Sequence, residues 1–169
     1  NLDELLQTTV HLIVERFGFY HAGIFLIDSS GTRASLRAAH GPSAGELMKR
    51  GHQLEVGSDS IIGWASLNLE PRVAADVDQD AVFRKNPLLP DTRAEAGFPI
   101  ALGGVALGVL DVQSTEPHVF DEEMVIVLQT LANQIAAAIQ NTTLSETARM
   151  DASEAERLYR SSHEIAQAE

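Results

Sequence analysis

Thr92–Ser114, TRAEAGFPIALGGVALGVLDVQS, decides the fold of this chain. Ala94, Ala96, Phe98, Ile100 and Leu102 alternate with Arg93, Glu95 and Gly97, and period-two alternation predicts a half-buried strand. Gly103-Gly104 predicts a tight turn, because glycine reaches positive φ without a Cβ clash. Val105–Val112 is apolar on both parities, as expected of a strand covered on both faces. A helix follows the hairpin. Asp121 suits its N-cap, Glu122 and Glu123 suit its dipole, and Phe120 and Val125 stand at the spacing of a hydrophobic staple. Val125, Leu128, Leu131, Ala132, Ile135, Ala138 and Ile139 give that helix a broad apolar face to lay on a sheet or a partner.

Outward from the hairpin, the chain reads as one domain with an extension. Leu2, Leu5, Leu6, Val10, Ile13 and Phe17 recur at helical spacing, predicting a helix from Asp3 to about Arg16, ended by Gly18. Ala22–Asp28 is short and apolar on both parities, a central strand, and Thr32–His40 alternates as a strand with one wet face. Ala44–Arg50 reads as a short helix. Gly57–Leu67 reads as a loop entering a helix capped by Ser58 or Asp59, and Arg72–Asp76 as a short strand. Asp78–Asp91 is loop-like, stopped by Asn86-Pro87 and Leu89-Pro90. No proline or glycine lies between His118 and Glu169, so the last helix is expected to leave the domain. Leu144, Ala148, Asp151, Ala155, Leu158, Ser162 and Ile165 follow heptad spacing too sparse for a monomer, and a parallel partner helix is expected.

Composition excludes several functions. Twelve Lys and Arg against 24 Asp and Glu leave a formal charge of −12, which argues against nucleic acid or an anionic membrane as partner. Without cysteine there are no disulfides, thiolate metal sites or thiol nucleophiles. No apolar run approaches the roughly 18 residues needed to span a bilayer, and no signal peptide is visible, so a cytoplasmic location is expected. The chain opens on Asn1, not methionine, and is expected to belong to a longer protein.

Five strings in order resemble a GAF domain across roughly Asn1–Leu144: FGFYHAGIFLID (Phe17–Asp28), GSDSIIGWAS (Gly57–Ser66), RVAADVDQD (Arg72–Asp80), LGVLDVQS and FDEEMVIVLQTLANQIAAAIQN. The resemblance implies an α+β sandwich with a roughly six-stranded antiparallel sheet. Terminal helices would lie on one face, and loops and short helices would enclose a small-molecule pocket on the other. It implies a sensory domain over 1–144 and a signalling helix or coiled-coil linker over 145–169. That helix would join neighbouring sensory or output domains, such as a histidine kinase, in a two-component system. The terminal helices of such domains often form a homodimer bundle, with Leu2, Leu5, Leu6, Leu128, Ile135 and Ile139 expected at its interface.

Within that frame, seven residues are candidates for ligand binding. Trp64, on the helix expected over the pocket, is a core aromatic or a pocket wall. Arg93 and Glu95 occupy the parity opposite Ala94, Ala96 and Phe98, and face the pocket if that apolar parity lies under the terminal helices. Arg93 would hold a ligand carboxylate or phosphate bidentately, or pair with Glu95 or Asp76. Phe83 and Leu88 would form an apolar lid. His40 shares parity with Leu36 and Ala38, as a hydrogen-bonded core histidine or a haem or metal ligand. Asp76, Asp78 and Asp80 fail as a calcium loop, since the sixth and twelfth positions hold Ala81 and Pro87, and read as solvated acids.

Other branches of the family are excluded or weakened. Covalent bilin attachment and methionine-sulfoxide reduction both need cysteine. Phe120-Asp121-Glu122 echoes the end of the cyclic-nucleotide signature, but His118-Val119 precedes it, and the string reads as staple and cap. Asn141-Thr142-Thr143 is discounted as a glycosylation site. No HExxH, GxSxG elbow or glycine-rich phosphate loop occurs, so no catalysis is expected and no cofactor is required. The ligand is left unnamed, and the alternative is a ligand-free dimerisation and spacer domain.

Overall fold

A computed structural model describes residues 1–167; the last two residues of the expected signalling helix lie outside it. The elements run α1 (Leu2–Phe17), β1 (His21–Ile27), β2 (Arg33–His40), α2 (Ala44–Lys49), β3 (Gln53–Glu55), α3 (Ile61–Asn68), β4 (Arg72–Ala74), β5 (Ala94–Leu102), β6 (Val105–Ser114) and α4 (Glu122–Gln167). A single 3-10 turn, Val77–Gln79, follows β4. The strands form one antiparallel six-stranded sheet ordered β3-β2-β1-β6-β5-β4. The fold is α+β.

The decisive hairpin forms as its pattern predicts. Gly103 and Gly104 turn it with φ of 56° and 78°, the positive pair that a two-residue turn between right-twisted strands requires. Ala94, Ala96, Phe98 and Ile100 of β5 face α1 and α4, where they join Leu6, Val10, Leu128, Ala132 and Ile135 in the larger core. α4 is capped at its start, Asp121 Oδ1 accepting from the Met124 amide at 2.8 Å. Phe120 stacks on Phe19 with centroids 5.4 Å apart and closes that core at one end. Gln129 of α4 also donates to the Pro99 carbonyl of β5 at 3.0 Å. From residue 143 to 167, α4 is exposed throughout.

Two local expectations change and one strand is added. α3 is capped by Ser60, whose Oγ accepts from the Gly63 amide at 2.9 Å, and not by Ser58 or Asp59. β3 has no clear pattern of its own in three residues and exists because β2 offers it a paired edge. β2 carries a bulge: Ile24 pairs with Ala38 but Phe25 with Leu36, leaving Arg37 over. A bulge reverses parity beyond it. Ala34 and Leu36 therefore face α2 and α3, while Ala38 faces the terminal helices.

The expected interface residues divide. Leu6, Leu128 and Ile135 are buried in the chain's own core, and Leu2 and Ile139 are half-buried against it, whereas Leu5 is exposed. The correction is physical for Leu6 and Leu128: a side chain with no exposed surface has none left for a second chain, whereas Ile135 also borders the groove between α1 and α4. Leu5, Leu12, Phe17 and Ile126 instead line an open apolar groove between α1 and α4.

Candidate functional site

On the opposite face of the sheet, register builds a polar floor. His21 of β1 lies opposite Gln113 of β6, which lies opposite Glu95 of β5; one pleat on, Asp111 sits between Gly23 and Gly97. Residues in register or two apart share a face. His21, Glu95, Asp111 and Gln113 thus line a cavity of about 180 Å³. A Cβ on Gly23 would meet Leu36 Cδ1 at 3.0 Å, and one on Gly97 would meet Ile61 Cγ2 at 3.2 Å. Glycine at both positions lets those two side chains pack close beside Asp111 without being pushed aside. Ser60, Ile61 and Ile62, at the start of α3, and Leu47 of α2 line the cavity above the sheet, and Phe83 and Leu89 come from the loop after β4. Arg84, Lys85 and Asn86 of that loop stand at its mouth.

The floor is nearly dry. Glu95, Asp111 and His21 are 5%, 1% and 2% exposed. Gln113 Nε2 donates to Asp111 Oδ2 at 2.9 Å, and Thr92 Oγ1 donates to Gln113 Oε1 at 2.6 Å. Among the described residues, His21 Nδ1 finds no hydrogen-bond partner. Burial, then repulsion from Asp111, pushes the Glu95 carboxyl well above its ordinary range. Burial lowers the pKa of His21 and His52, against the opposing pull of Asp111. Two acids, a histidine and a glutamine buried around an open volume make a site able to exchange hydrogen bonds with a polar guest.

The loop over the mouth is held from one side. Arg72 Nη2 reaches both carboxylate oxygens of Asp80 at 2.8 Å, and Asp80 Oδ1 also accepts from the Val82 and Phe83 amides at 2.8 and 3.1 Å. Asp76 caps the 3-10 turn through the Asp78 amide and lies 3.6 Å from Arg93 Nη2; Asp78 lies 3.9 Å from Arg93 Nε. The acids of this stretch are thus engaged in ion pairs and turns.

Of the seven candidates, Glu95 and Phe83 line the cavity and the other five do not. Trp64 is half-buried one turn along α3, beyond the residues that face the cavity. Leu88 packs into the apolar cluster beneath the loop, beside the lining Leu89. Arg93 precedes β5 and turns outward to Asp76 and Asp78, so its ion pairs lie at the sheet's margin and not in the cavity. His40 is turned by the bulge to the α1 face, with Nε2 3.2 Å from Glu15 Oε1.

Sequence reasoning passed over His21, His52, Asp111 and Gln113. A signal for two of them existed: Asp111 and Gln113 are polar in a strand otherwise read as apolar on both faces, and folding the hairpin at Gly103-Gly104 brings Glu95 beside them. His21 and His52 carry no such mark, because only the β1–β6 pairing and the α2–β3 path bring them in.

Comparison with known proteins agrees with this architecture. The family model for the GAF domain matches residues 1–140. The GAF domain of a phosphoenolpyruvate-protein phosphotransferase from Coxiella burnetii is 28% identical, with a TM-score of 0.77 and 87% of each chain covered. The free methionine-R-sulfoxide reductase from Neisseria meningitidis, solved with its substrate, shares the fold at 23% identity and TM-score 0.75, covering 86% of this chain and 81% of that one. A domain of a two-component sensor histidine kinase from Sinorhizobium meliloti does so at 22% and 0.66, covering 88% and 97%. No curated protein matches the sequence. With the matched region spanning the sheet, the cavity and the packed half of α4, the chain belongs to the GAF domain family.

Proposed function

We propose that this domain is a non-catalytic sensory module of a cytoplasmic signalling protein. It binds a small polar molecule in the sheet cavity and passes the change to its terminal helices. The observation that carries this reading is the floor itself: two acids, a histidine and a glutamine buried together, with His21 Nδ1 unpaired among the described residues. Leaving a buried polar atom unpaired costs about 1–3 kcal/mol. A core selected only for stability would place apolar side chains there, as the opposite face of the same sheet does.

The charges state what the guest carries. A cationic or hydrogen-donating group suits Asp111 and Glu95 at the floor, and an anionic group suits Arg84 and Lys85 at the mouth. A cavity of about 180 Å³ takes a molecule the size of an amino acid. The fold neighbour from Neisseria acts, by its name, on free methionine-R-sulfoxide, itself an amino acid. This chain has no cysteine to reduce such a substrate, so binding without turnover is the reading.

β5 links the two functions, with Glu95 in the cavity and Ala94, Ala96 and Phe98 against the terminal helices. Coupling requires that the guest bind two helix arrangements unequally. Residues 1–144 form the sensory unit and 145–169 the signalling helix, paired with a second copy through the α1–α4 groove and the exposed Leu144, Leu158 and Ile165.

A thermal-shift and calorimetric screen of free amino acids against the intact chain tests the proposal. A ligand at about 100 times its Kd adds about 2.7 kcal/mol of stability. For a domain of this size that raises Tm by roughly 2–4 °C per kcal/mol. Absence of any saturable binding removes the sensory reading and leaves a dimerisation and spacer domain in its place.

A further inference from the structure

The bulge in β2 does more than turn His40 away from the cavity. It sets a polar seam between α1 and β2. Asp3, Gln7, His11 and Glu15 stand at four-residue intervals along α1, one above the other on a single stripe. Arg37, the extra residue of the bulge, reaches Asp3 at 2.7 Å. Gln7 Nε2 donates to the Ala39 carbonyl at 2.9 Å. At the end of the seam, the His40 ring stands edge-on to that of His11, centroids 4.5 Å apart, and its Nε2 lies 3.2 Å from Glu15 Oε1. One ligand atom from each of His11, Glu15 and His40 lies within 4.8 Å of the others.

We propose that His11, Glu15 and His40 form a binding site for a divalent transition-metal ion, of which zinc is the representative. The donor set is two imidazoles and one carboxylate, which suits zinc, nickel, copper or cobalt and not calcium or magnesium, whose sites are built from oxygens. Zinc–nitrogen and zinc–oxygen bonds of about 2.0–2.2 Å put neighbouring ligands of a tetrahedral ion roughly 3.3–3.6 Å apart. The His40–Glu15 separation of 3.2 Å lies just below that spacing. His11 is exposed on the helix surface, where rotation of its side chain would close the remainder. Three protein ligands leave the fourth position open to water or to a donor from another molecule.

The site joins two elements that nothing covalent holds together. α1 carries two ligands and the end of β2 the third, so a bound ion fastens the C-terminal half of α1 to the sheet beside the Gln7 and Asp3 contacts. The ion would replace the His40–Glu15 hydrogen bond and bind both groups in its place. His21, buried in the cavity on the other face, contributes nothing to it.

The test uses the tag-free chain, stripped with a chelator and titrated with zinc chloride by calorimetry, with thermal unfolding followed in parallel. One ion per chain is expected, with a rise in Tm. His11→Ala and His40→Ala should each weaken binding by more than about tenfold, a loss that even substitutions outside the ligand shell can reach. All three ligands lie at the surface or its margin, so the variants should fold; circular dichroism of the metal-free forms checks this. As a second readout, cobalt chloride should give the visible absorption of a low-symmetry nitrogen–oxygen site, lost in His40→Ala. Zinc binding that is unchanged in both histidine variants, or no saturable binding to the parent chain, overturns the proposal.

Discussion

On β5, Ala94, Ala96, Phe98 and Ile100 turn toward the terminal helices, and Glu95 and Gly97 turn toward the cavity. β6 and β1 divide the same way, Leu110 and Val112 against Asp111 and Gln113, Ala22 and Ile24 against His21 and Gly23. One face is filled with apolar side chains in continuous contact. The other buries ionisable groups around an open volume. The first face carries stability through area removed from water; the second gives up part of that stability to keep polar atoms available to a guest. The same strands serve both because successive side chains point to opposite sides.

Substitutions on each face should separate the two roles. Phe98→Ala, in the fully buried helix-side core, should lower stability by about 3–5 kcal/mol in urea denaturation. A loss below about 1 kcal/mol would mean that this face is not the stabilising one. Arg72→Leu, beside the cavity, should cost less, about 2–3 kcal/mol, because Asp80 keeps its two backbone donors after losing its cation. Its particular mark is local: amide exchange at Val82 and Phe83 should speed relative to β5. Uniform acceleration across the domain would show that the ion pair does not hold the loop in particular.

The smallest effect is the most specific. With its native pKa raised, Glu95 stabilises the fold most below the ordinary glutamate range, and that contribution is lost as pH rises toward the raised value. The loss has a slope of up to about 1.4 kcal/mol per pH unit. Glu95→Gln should remove this slope and leave the variant relatively more stable at high pH. His21 and His52 act in the opposite window, destabilising the fold as pH falls below 6.5, since burial keeps them neutral while the unfolded chain takes up protons. Coincident pH profiles for the parent and Glu95→Gln would show that Glu95 is not held protonated.

Much of the architecture was readable because it is local. Alternation in Ala94–Leu102, the glycine pair, the Gly18 stop (φ 71°) and the Asp121 cap each depend on residues within a few positions of one another. The candidate site was readable only where it followed from that alternation: Glu95 faces the cavity because Ala94 and Ala96 face the helices. Arg93 shares the parity of Glu95 but precedes β5, where alternation no longer fixes the direction of a side chain. Trp64, Asp76 and Leu88 were assigned by nearness in the chain, and nearness does not say which way a side chain turns along a helix or a loop.

By itself, then, the sequence determined the order and kind of the major elements, the hairpin that centres the sheet, and the long uninterrupted α4, since periodicity and turn chemistry act over short range. The tertiary structure decided which polar residues share a floor and which histidine meets which helix. His21, Asp111 and Glu95 converge only through strand register across three strands. His40 reaches His11 and Glu15 only because one extra residue at Arg37 reverses the strand's parity, and a bulge leaves no periodic trace in so short a strand.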